Sequence, residues 1–409
     1  MRVDHQTTVR LKPGWSLLGP AFVAAIAYVD PGNVAANISA GSQYGFLLVW
    51  VIVTANAMAG LVQYLSAKLG LVTGHSLPEI IAADSTKPMR IAYWLQAELV
   101  AIATDLAEVV GGAIALNLIF ELPLLLGGLI TGVVSMGLLV VGDRRGPRAF
   151  EQVTSGLLVI IAVGFVAGLV VAPPAPSEVA AGLLPRFDGT ESVLLATAIL
   201  GATVMPHAVY LHSGLARDRH GRPPPGSARR RLLRVTRWDV GLAMLAAGAL
   251  NLAMLVLAAN NLRGLDSSGS IEGAHAAIGS TMGPTVALLF AIGLLASGLA
   301  STSVGAYAGA MIMQGLVRIS VPPLGRRLIT VIPALAILAW GVEPTRALVI
   351  SQVVLSFGIP LAMVPLIRAT GDRSLMGEDA NGVLTSALGW LVTAVIATLN
   401  AALIYLTLR

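Results

Sequence analysis

Long apolar runs recur from one end of this 409-residue sequence to the other. Each run has about 20 residues, which is enough to cross a bilayer core about 30 Å thick. Only 11% of the residues are charged and 56% are hydrophobic, whereas a soluble domain carries about 25% charged residues. Because a water-soluble surface must be largely polar, the composition excludes a soluble globular fold. We therefore expect an all-α polytopic membrane protein that forms a single transmembrane domain over residues 1–409.

The apolar runs predict eleven transmembrane helices. No small-residue cleavage site follows the first run, so it is interpreted as a membrane helix and not as a signal peptide. The predicted spans are 15–40, 45–70, 91–119, 122–142, 150–172, 192–216, 238–261, 284–317, 326–342, 346–368 and 383–408.

The basic residues give the expected orientation, because cytoplasmic loops of membrane proteins are enriched in Lys and Arg. With the N-terminus in the cytoplasm, 22 of the 26 basic residues fall in inside segments. An odd number of spans then places the C-terminus outside. The same placement assigns the run Arg229 to Arg231 to a loop facing cytosol and anionic lipid, which argues against a nucleic-acid partner. The localisation predicted is the cytoplasmic membrane.

Cysteine is absent from the sequence. Disulfides, thiolate metal sites and cysteine nucleophiles are therefore excluded. The spans also contain no Ser/His/Asp constellation, so we do not expect an enzyme, and no bound cofactor is predicted.

Ionisable residues inside membrane spans are expensive and indicate function. The predicted spans hold few of them, and these are confined to the first, third and sixth spans. They are Asp30, Glu98, Asp105, Glu108, His207 and His212.

The first span is interrupted at Asp30-Pro31-Gly32-Asn33. Pro31 lacks an N–H and blocks the carbonyl four residues earlier, and Gly32 permits helix-breaking angles. The freed carbonyl is that of Ala27, and it is tolerated in a membrane only when buried in protein or facing a cavity. We expect the Ala27 carbonyl, the Asp30 carboxylate and the Asn33 amide to converge as oxygen ligands.

The sixth span repeats this arrangement at Met205-Pro206-His207. Pro206 frees the carbonyl of Ala202, and Met205 adds a thioether. Broken helices at corresponding places of two halves are typical of transporters built from inverted repeats. The spacing of five helices predicts a 5+5 inverted repeat, with repeat 1 at about 15–172, repeat 2 at about 192–368 and an extra helix at about 383–408.

The predicted ligand set indicates the class of cargo. Mg²⁺ and Ca²⁺ prefer oxygen ligands alone, whereas a thioether sulfur favours softer transition metals. One carboxylate together with Met205 therefore predicts a site for Mn²⁺, Fe²⁺ or a neighbouring ion, with some acceptance of Co²⁺, Ni²⁺ and Zn²⁺.

The third span supplies a different pattern. Glu98, Asp105 and Glu108 are spaced by seven and three residues and so share one helical face. Buried carboxylates hold protons reversibly, which is the physical basis of a proton relay. His207 is expected to join Asp30 to this path, and Arg326 or Arg327, at the start of the ninth span, is expected to pair with one of the acids.

These residues make the chain resemble the Nramp (natural resistance-associated macrophage protein) family of metal-ion transporters. The resemblance covers nearly the whole sequence and is carried by Ala27-Tyr28-Val29-Asp30-Pro31-Gly32-Asn33, by Gly201-Ala202-Thr203-Val204-Met205-Pro206-His207 and by Tyr210-Leu211-His212-Ser213. One departure is Ala208, where many relatives have Asn.

The resemblance implies a LeuT-type fold and proton-coupled import of Mn²⁺ and related ions. It implies a metal site made by the side chains of Asp30, Asn33 and Met205 and the carbonyls of Ala27 and Ala202, and Gln352 of the tenth span matches a position that can complete the shell in some conformations. It places Glu98, Asp105, Glu108 and His207 on the proton pathway, with Arg327, and secondarily Arg326, as partners.

Two other functions stay open at this point. If the chain were an amino-acid or amine transporter of the same fold, we would expect Gly-rich backbone at both breaks to hold the substrate carboxylate. Here one break carries Asp30 and the other carries Met205. A metal sensor or scaffold predicts an added cytosolic domain, and no loop is long enough for one. The expected partners are metal ions, protons and the bilayer, and a monomer is compatible with the sequence.

Overall fold

The structure is a computed structural model that describes residues 21, 24–25, 27–145, 147–263, 269–319 and 321–409. The described residues are almost entirely helical. The helices are α1 (Pro31–Tyr44), α2 (Val49–Thr73), α3 (Leu77–Asp84), α4 (Lys87–Phe120), α5 (Leu124–Arg145), α6 (Pro147–Val171), α7 (Pro176–Ala181), α8 (Gly189–Thr203), α9 (Pro206–His220), α10 (Ser227–Asn261), α11 (Ile271–Met282), α12 (Pro284–Val317), α13 (Pro323–Ala339), α14 (Pro344–Gly371), α15 (Arg373–Met376) and α16 (Val383–Leu408).

Seven helical stretches of the described chain are long and apolar enough to cross a membrane. One of them, Pro31–Thr73, contains parts of both the first and the second predicted spans, and α5, α6 and α13 are not among the seven. The predicted count of eleven therefore stays a prediction. The start of the first predicted span and the basic residues before it lie outside the described residues.

Both predicted helix breaks are present. A short 3₁₀ turn, Ala27–Val29, is followed by the extended residue Asp30, and α1 begins at Pro31. The second break separates α8 from α9, where Val204 and Met205 leave helical geometry and Pro206 begins the next helix. Proline fits the first turn of a helix because its missing N–H has no partner there in any case.

Four segments expected only as connections contain helices, namely α3, α7, α11 and α15. Ser76 and Glu79 form a capping box at the start of α3, and the Ser270 side chain accepts from the Gly273 N–H at the start of α11. These caps satisfy backbone groups that short helices otherwise leave open. Hydrophobic length alone does not detect such helices, because they are too short to span a bilayer.

The two breaks lie in the centre of the helix packing. The helix α1 packs against α8, α10 and α14, and α4 packs along α12 and α14. In contrast, α16 lies at the periphery, with large apolar residues such as Val383 and Leu408 exposed. This arrangement buries the polar residues of the breaks and leaves apolar residues facing outward, toward the space that lipid would fill.

Candidate metal site

Asp30 is fixed by the residues of its own helix break. It is the N-cap of α1, and its Oδ1 accepts from the Asn33 N–H at 2.7 Å and from Asn33 Nδ2 at 3.1 Å. Both side chains are fully buried. The Asp-Pro-Gly-Asn sequence thus folds into a cap that holds a carboxylate and an amide side by side, as the three-residue spacing predicts.

The second break meets the first through Asn33. Asn33 Nδ2 donates to the Ala202 carbonyl at 2.9 Å. This is the carbonyl that Pro206 was expected to free, and it is turned toward the first break. Met205, fully buried at the N-cap of α9, is three residues farther along the same segment. The structure therefore brings Asp30, Asn33 and Ala202 together.

Gln352 of α14 adds a third element to this group. Its Nε2 donates to Asp30 Oδ2 at 3.2 Å, and the side chain is fully buried. Gly32 makes this contact possible, because a Cβ there would lie 1.7 Å from Gln352 Nε2. The close approach explains why the break carries glycine next to Pro31.

Two amide oxygens at this place lack a partner. Asn33 Oδ1 and Gln352 Oε1 are buried without any hydrogen bond to another described residue. Buried polar atoms are usually satisfied, so such oxygens beside a carboxylate suit a cation. Nowhere in the described chain do three or more His, Asp or Glu side chains gather as metal ligands. The polar groups that the hydrogen bonds bring together are instead one carboxylate, two amides and the Ala202 carbonyl.

Two polar side chains that sequence reasoning missed support the unwound segment. Asn251 Nδ2 of α10 donates to the Tyr28 carbonyl at 3.0 Å, and the Ser297 hydroxyl of α12 donates to the Val29 carbonyl. The preceding residue, Ala27, is in the 3₁₀ turn and is buried. The signal available in the sequence was a polar residue within an apolar span, as for Asn251.

Helix α4 carries a buried charge network next to this group. Arg327 of α13 is 1% exposed. Its Nη1 is bonded to Asp105 and donates to Glu108 Oε2 at 3.0 Å. The same guanidinium donates to the Ser135 and Thr302 hydroxyls, each at 3.2 Å. Buried charges need such partners.

Arg326 pairs with the third acid. Its Nη2 donates to Glu98 Oε1 at 2.9 Å, and the Glu98 side chain is 20% exposed, whereas that of Glu108 is fully buried. Both arginines therefore pair with α4 acids. The acids run from the partly exposed Glu98 to the buried Glu108 along one helix face.

The charge network reaches the first helix break through close backbone packing. A Cβ on Gly111 of α4 would lie 2.0 Å from the Pro31 side chain, so only glycine allows this approach. Glu108 is one turn before Gly111, and its Oε1 has no hydrogen bond among the described residues. The unpaired oxygen of Glu108 is thus on the helix that contacts the Asp30 break.

The two histidines of α9 contact different helices. His207 Nδ1 lies 3.4 Å from the Thr104 hydroxyl of α4. His212 Nδ1 lies 2.7 Å from Gln63 Oε1 of α2, and Gln63 in turn bonds to the Tyr28 hydroxyl. His207 therefore faces the helix of the acids, and His212 ties α9 to α2 and to the residue two before Asp30.

Comparison with known proteins identifies the family. The profile described as "Natural resistance-associated macrophage protein-like" matches residues 21–406. The chain belongs to the Nramp family. It is 66% identical over 403 residues to the divalent metal cation transporter MntH of Mycobacterium tuberculosis (strain CDC 1551 / Oshkosh), covering 98% of this chain and 94% of that protein. It is 47% identical over 398 residues to MntH of Bacillus subtilis (strain 168), covering 96% and 92%.

Solved structures agree with this assignment. The Eremococcus coleocola manganese transporter matches with a TM-score of 0.83 at 29% identity, over 97% of this chain and 89% of that one. The transporter Mhp1 matches with a TM-score of 0.60 at 16% identity, over 95% and 92%. The second likeness shows the fold alone, and it confirms the LeuT-type architecture predicted for this Nramp protein. Because Nramp proteins are transporters, the expectation that the chain is not an enzyme is also confirmed.

Proposed function

We propose that this Nramp protein imports divalent transition-metal ions, Mn²⁺ foremost and Fe²⁺ and related ions besides, together with protons across the cytoplasmic membrane. The observation that carries the proposal is the pair of unpartnered amide oxygens, Asn33 Oδ1 and Gln352 Oε1, beside the Asp30 carboxylate. The names of its relatives, divalent metal cation transporters and a manganese transporter, support the same cargo.

The ligands proposed are the side chains of Asp30, Asn33, Met205 and Gln352 and the carbonyls of Ala27 and Ala202. Oxygen donors give moderate affinity for Mn²⁺, and the thioether disfavours Ca²⁺ and Mg²⁺, which take oxygen alone. The bond from Asn33 Nδ2 to the Ala202 carbonyl is one that an arriving ion would compete with. The ion would therefore bind at the place where the two broken helices meet.

The amino-acid alternative is disfavoured by the same geometry. In that class the positive ends of half-helices hold a substrate carboxylate. Here the N-terminus of α1 already has the Asp30 carboxylate bonded to the Asn33 N–H. A second carboxylate would meet like charge at that position.

Protons are proposed to move along α4. Glu108 is fully buried and one of its oxygens lacks a hydrogen bond among the described residues, whereas Glu98 is partly exposed. His207 faces Thr104 of the same helix. The proposed route runs from Asp30 and His207 past Glu108 and Asp105 to Glu98, with Arg327 and Arg326 holding the carboxylates in place.

Alternating access would follow from the proposed inverted repeats, about 15–172 and 192–368, with the helix at 383–408 added. The two breaks belong to corresponding helices of the repeats. The charge count supports a cytoplasmic N-terminus and an extracytoplasmic C-terminus.

Uptake of Mn²⁺ into proteoliposomes tests the proposal. Wild-type protein is expected to take up Mn²⁺ faster with an inward proton gradient than without one, and a protonophore should remove the difference.

Asp30→Ala should abolish uptake because it removes the only carboxylate at the breaks. Glu178→Gln, which changes an exposed carboxylate of α7, is the matched control and should transport normally. Near-normal uptake by Asp30→Ala would contradict the site.

A further inference from the structure

The N-terminal part of α10 carries a stripe of exposed arginines. Arg230, Arg231, Arg234 and Arg237 are exposed. At 3.6 residues per turn they cover about a third of the helix circumference, and they extend over roughly 10 Å of the helix axis. We call these four residues the arginine stripe.

The arginine stripe has no acidic partner within the described residues. The neighbouring Arg229 differs, because it turns inward, is 6% exposed, and donates to Asp379 Oδ2 at 3.1 Å and to the Pro223 carbonyl at 2.7 Å. No described carboxylate lies within ion-pair distance of the four stripe residues. The fold thus neutralises one arginine of the run and leaves the stripe charge uncompensated.

The stripe lies at the depth where lipid headgroups are expected. The helix α10 has 35 residues, and its apolar part begins at Val240, directly after the stripe. Trp238, 67% exposed, stands between the two parts. Tryptophan favours the membrane interface. The stripe therefore precedes the bilayer core by one to three helical turns, on the side that the charge count assigns to the cytoplasm.

One arginine of the stripe is already oriented by a neighbouring helix. The Arg237 guanidinium lies 5.1 Å from the centre of the Tyr64 ring of α2, which is a cation–π distance. Lys68 is one turn farther along α2. Lys68 is buried (7% exposed) and its Nζ donates to Asn381 Oδ1 at 2.9 Å, so the exposed charge at this place comes from the stripe.

We propose that the arginine stripe binds the phosphodiester headgroup of an anionic phospholipid of the cytoplasmic leaflet, with the acyl chains lying along the apolar part of α10. The complementary charge is that of a lipid phosphate, which arginine contacts in a bidentate manner. A zwitterionic lipid carries the same phosphodiester, but its ammonium group cancels the negative charge, so an anionic lipid complements the stripe better.

Native mass spectrometry of the full-length protein tests this proposal. The protein would be titrated with phosphatidylglycerol, phosphatidylcholine and inorganic phosphate. Phosphatidylglycerol is expected to be retained more tightly than phosphatidylcholine. Each arginine removed should weaken its binding about fivefold. The triple variant Arg230→Gln, Arg234→Gln, Arg237→Gln should then lose about a hundredfold in affinity. Equal binding of both lipids, or stabilisation by inorganic phosphate alone, would overturn the proposal.

A matched triple variant controls for net charge. Arg318→Gln, Arg368→Gln and Arg373→Gln removes the same charge from exposed arginines of other elements on the same side. It should keep wild-type affinity for phosphatidylglycerol. An equal loss of affinity in both triple variants would show that the net charge of the protein, and not the arginine stripe, attracts the lipid, and this would contradict the proposal. If the stripe triple does not fold, Arg230→Gln alone carries the test, since Arg230 makes no packing contact comparable to that of Arg237. An unchanged affinity in that variant contradicts the proposal.

Discussion

Met205 is the residue proposed to make the site selective for transition metals over hard cations. Every other donor proposed at the two breaks is an oxygen, and oxygen ligands alone would accept Ca²⁺ and Mg²⁺. Met205 is fully buried next to the break, in the segment that also presents the Ala202 carbonyl. The selectivity of the site is thus assigned to one side chain.

Replacing this side chain should change selectivity more than rate. Met205→Ala is expected to keep Mn²⁺ uptake within about tenfold of wild type while allowing Ca²⁺ to compete, because the remaining donors are oxygens. Competition of Ca²⁺ with Mn²⁺ uptake in proteoliposomes measures this. Met254→Ala, a buried methionine in α10, serves as a control that removes a thioether elsewhere. Unchanged exclusion of Ca²⁺ by Met205→Ala would mean that the sulfur only packs.

At the scale of elements, the approach of α8 to α14 sets the site geometry. A Cβ on Gly201 would lie 1.9 Å from the Gln352 backbone carbonyl and 2.9 Å from the Ser356 nitrogen. These are backbone atoms that cannot swing aside, so the helices would have to separate. Gln352 and Ala202, both assigned to the metal site, are attached to these same two helices.

Gly201→Ala is therefore expected to lower the melting temperature of the purified protein by about 5 °C. It should also weaken Mn²⁺ binding, because Ala202 and Gln352 would move apart. Gly241→Ala in α10 is the control, since nothing lies within 4 Å of a Cβ there. Equal melting temperatures for the two variants would show that the packing between α8 and α14 tolerates the extra carbon.

The charge network of α4 and α13 is proposed to move protons without binding the metal. Glu108→Gln removes the buried carboxylate that Arg327 shares with Asp105. We expect proton influx during Mn²⁺ uptake to fall at least tenfold, measured with a pH-sensitive dye inside the liposomes, while Mn²⁺ affinity measured by calorimetry changes less than threefold. Proton influx at the wild-type level would remove Glu108 from the pathway.

The sequence predicts the breaks well because proline and glycine act locally. Pro31 and Pro206 begin helices where backbone chemistry requires it, and the α4 spacing places the acids on one face. The hydrogen bonds that Asn251 and Ser297 donate to carbonyls of the unwound segment were not predicted, because they depend on how α10 and α12 pack against that segment. The same holds for the assignment of Arg326 to Glu98 and Arg327 to Asp105 and Glu108, because residue spacing does not decide between adjacent arginines on one helix turn.

At the scale of the whole molecule, hydrogen bonds join helices that are distant in the sequence. The Ser39 hydroxyl of α1 donates to the Gly269 carbonyl at 3.1 Å, and the Ile271 N–H of α11 donates to the Thr345 hydroxyl of α14 at 3.0 Å. We call the bond between Ile271 and Thr345 the α11–α14 contact. Gln63 of α2 joins Tyr28 to His212 of α9. The proposed alternating access would require bonds of this kind to open and re-form.

Glu272 gives the α11–α14 contact a dependence on pH, because its Oε2 accepts from the Thr345 hydroxyl at 3.4 Å. Burial raises the pKa of its carboxyl, and the negative charge of Glu343 acts in the same direction, against the hydrogen bonds from its own backbone and from Thr345. A raised pKa means that the folded protein binds the proton more tightly than the unfolded chain does. Above that pKa the ionised carboxyl therefore lowers the free energy of unfolding. This loss of stability shrinks as the pH falls and the carboxyl becomes protonated in both states.

Glu272→Gln should therefore raise the melting temperature by about 1–2 °C at pH 7.5 and leave it unchanged near pH 4, where the wild-type carboxyl is largely protonated. Thermal unfolding of both proteins across this pH range checks the sign, with Glu178→Gln as an exposed control. A variant that is less stable at pH 7.5 would show that the carboxylate stabilises the α11–α14 contact.

The central claim is that the two helix breaks bind the metal through oxygen donors and one thioether. Because the chain has no cysteine, a sulfur ligand can come only from methionine. X-ray absorption spectroscopy of the Cd²⁺-loaded protein tests the claim most directly. We predict one sulfur scatterer among oxygens in the wild-type protein and its loss in Met205→Ala. A shell of oxygen and nitrogen alone in the wild-type protein, or a sulfur scatterer retained in Met205→Ala, would contradict it.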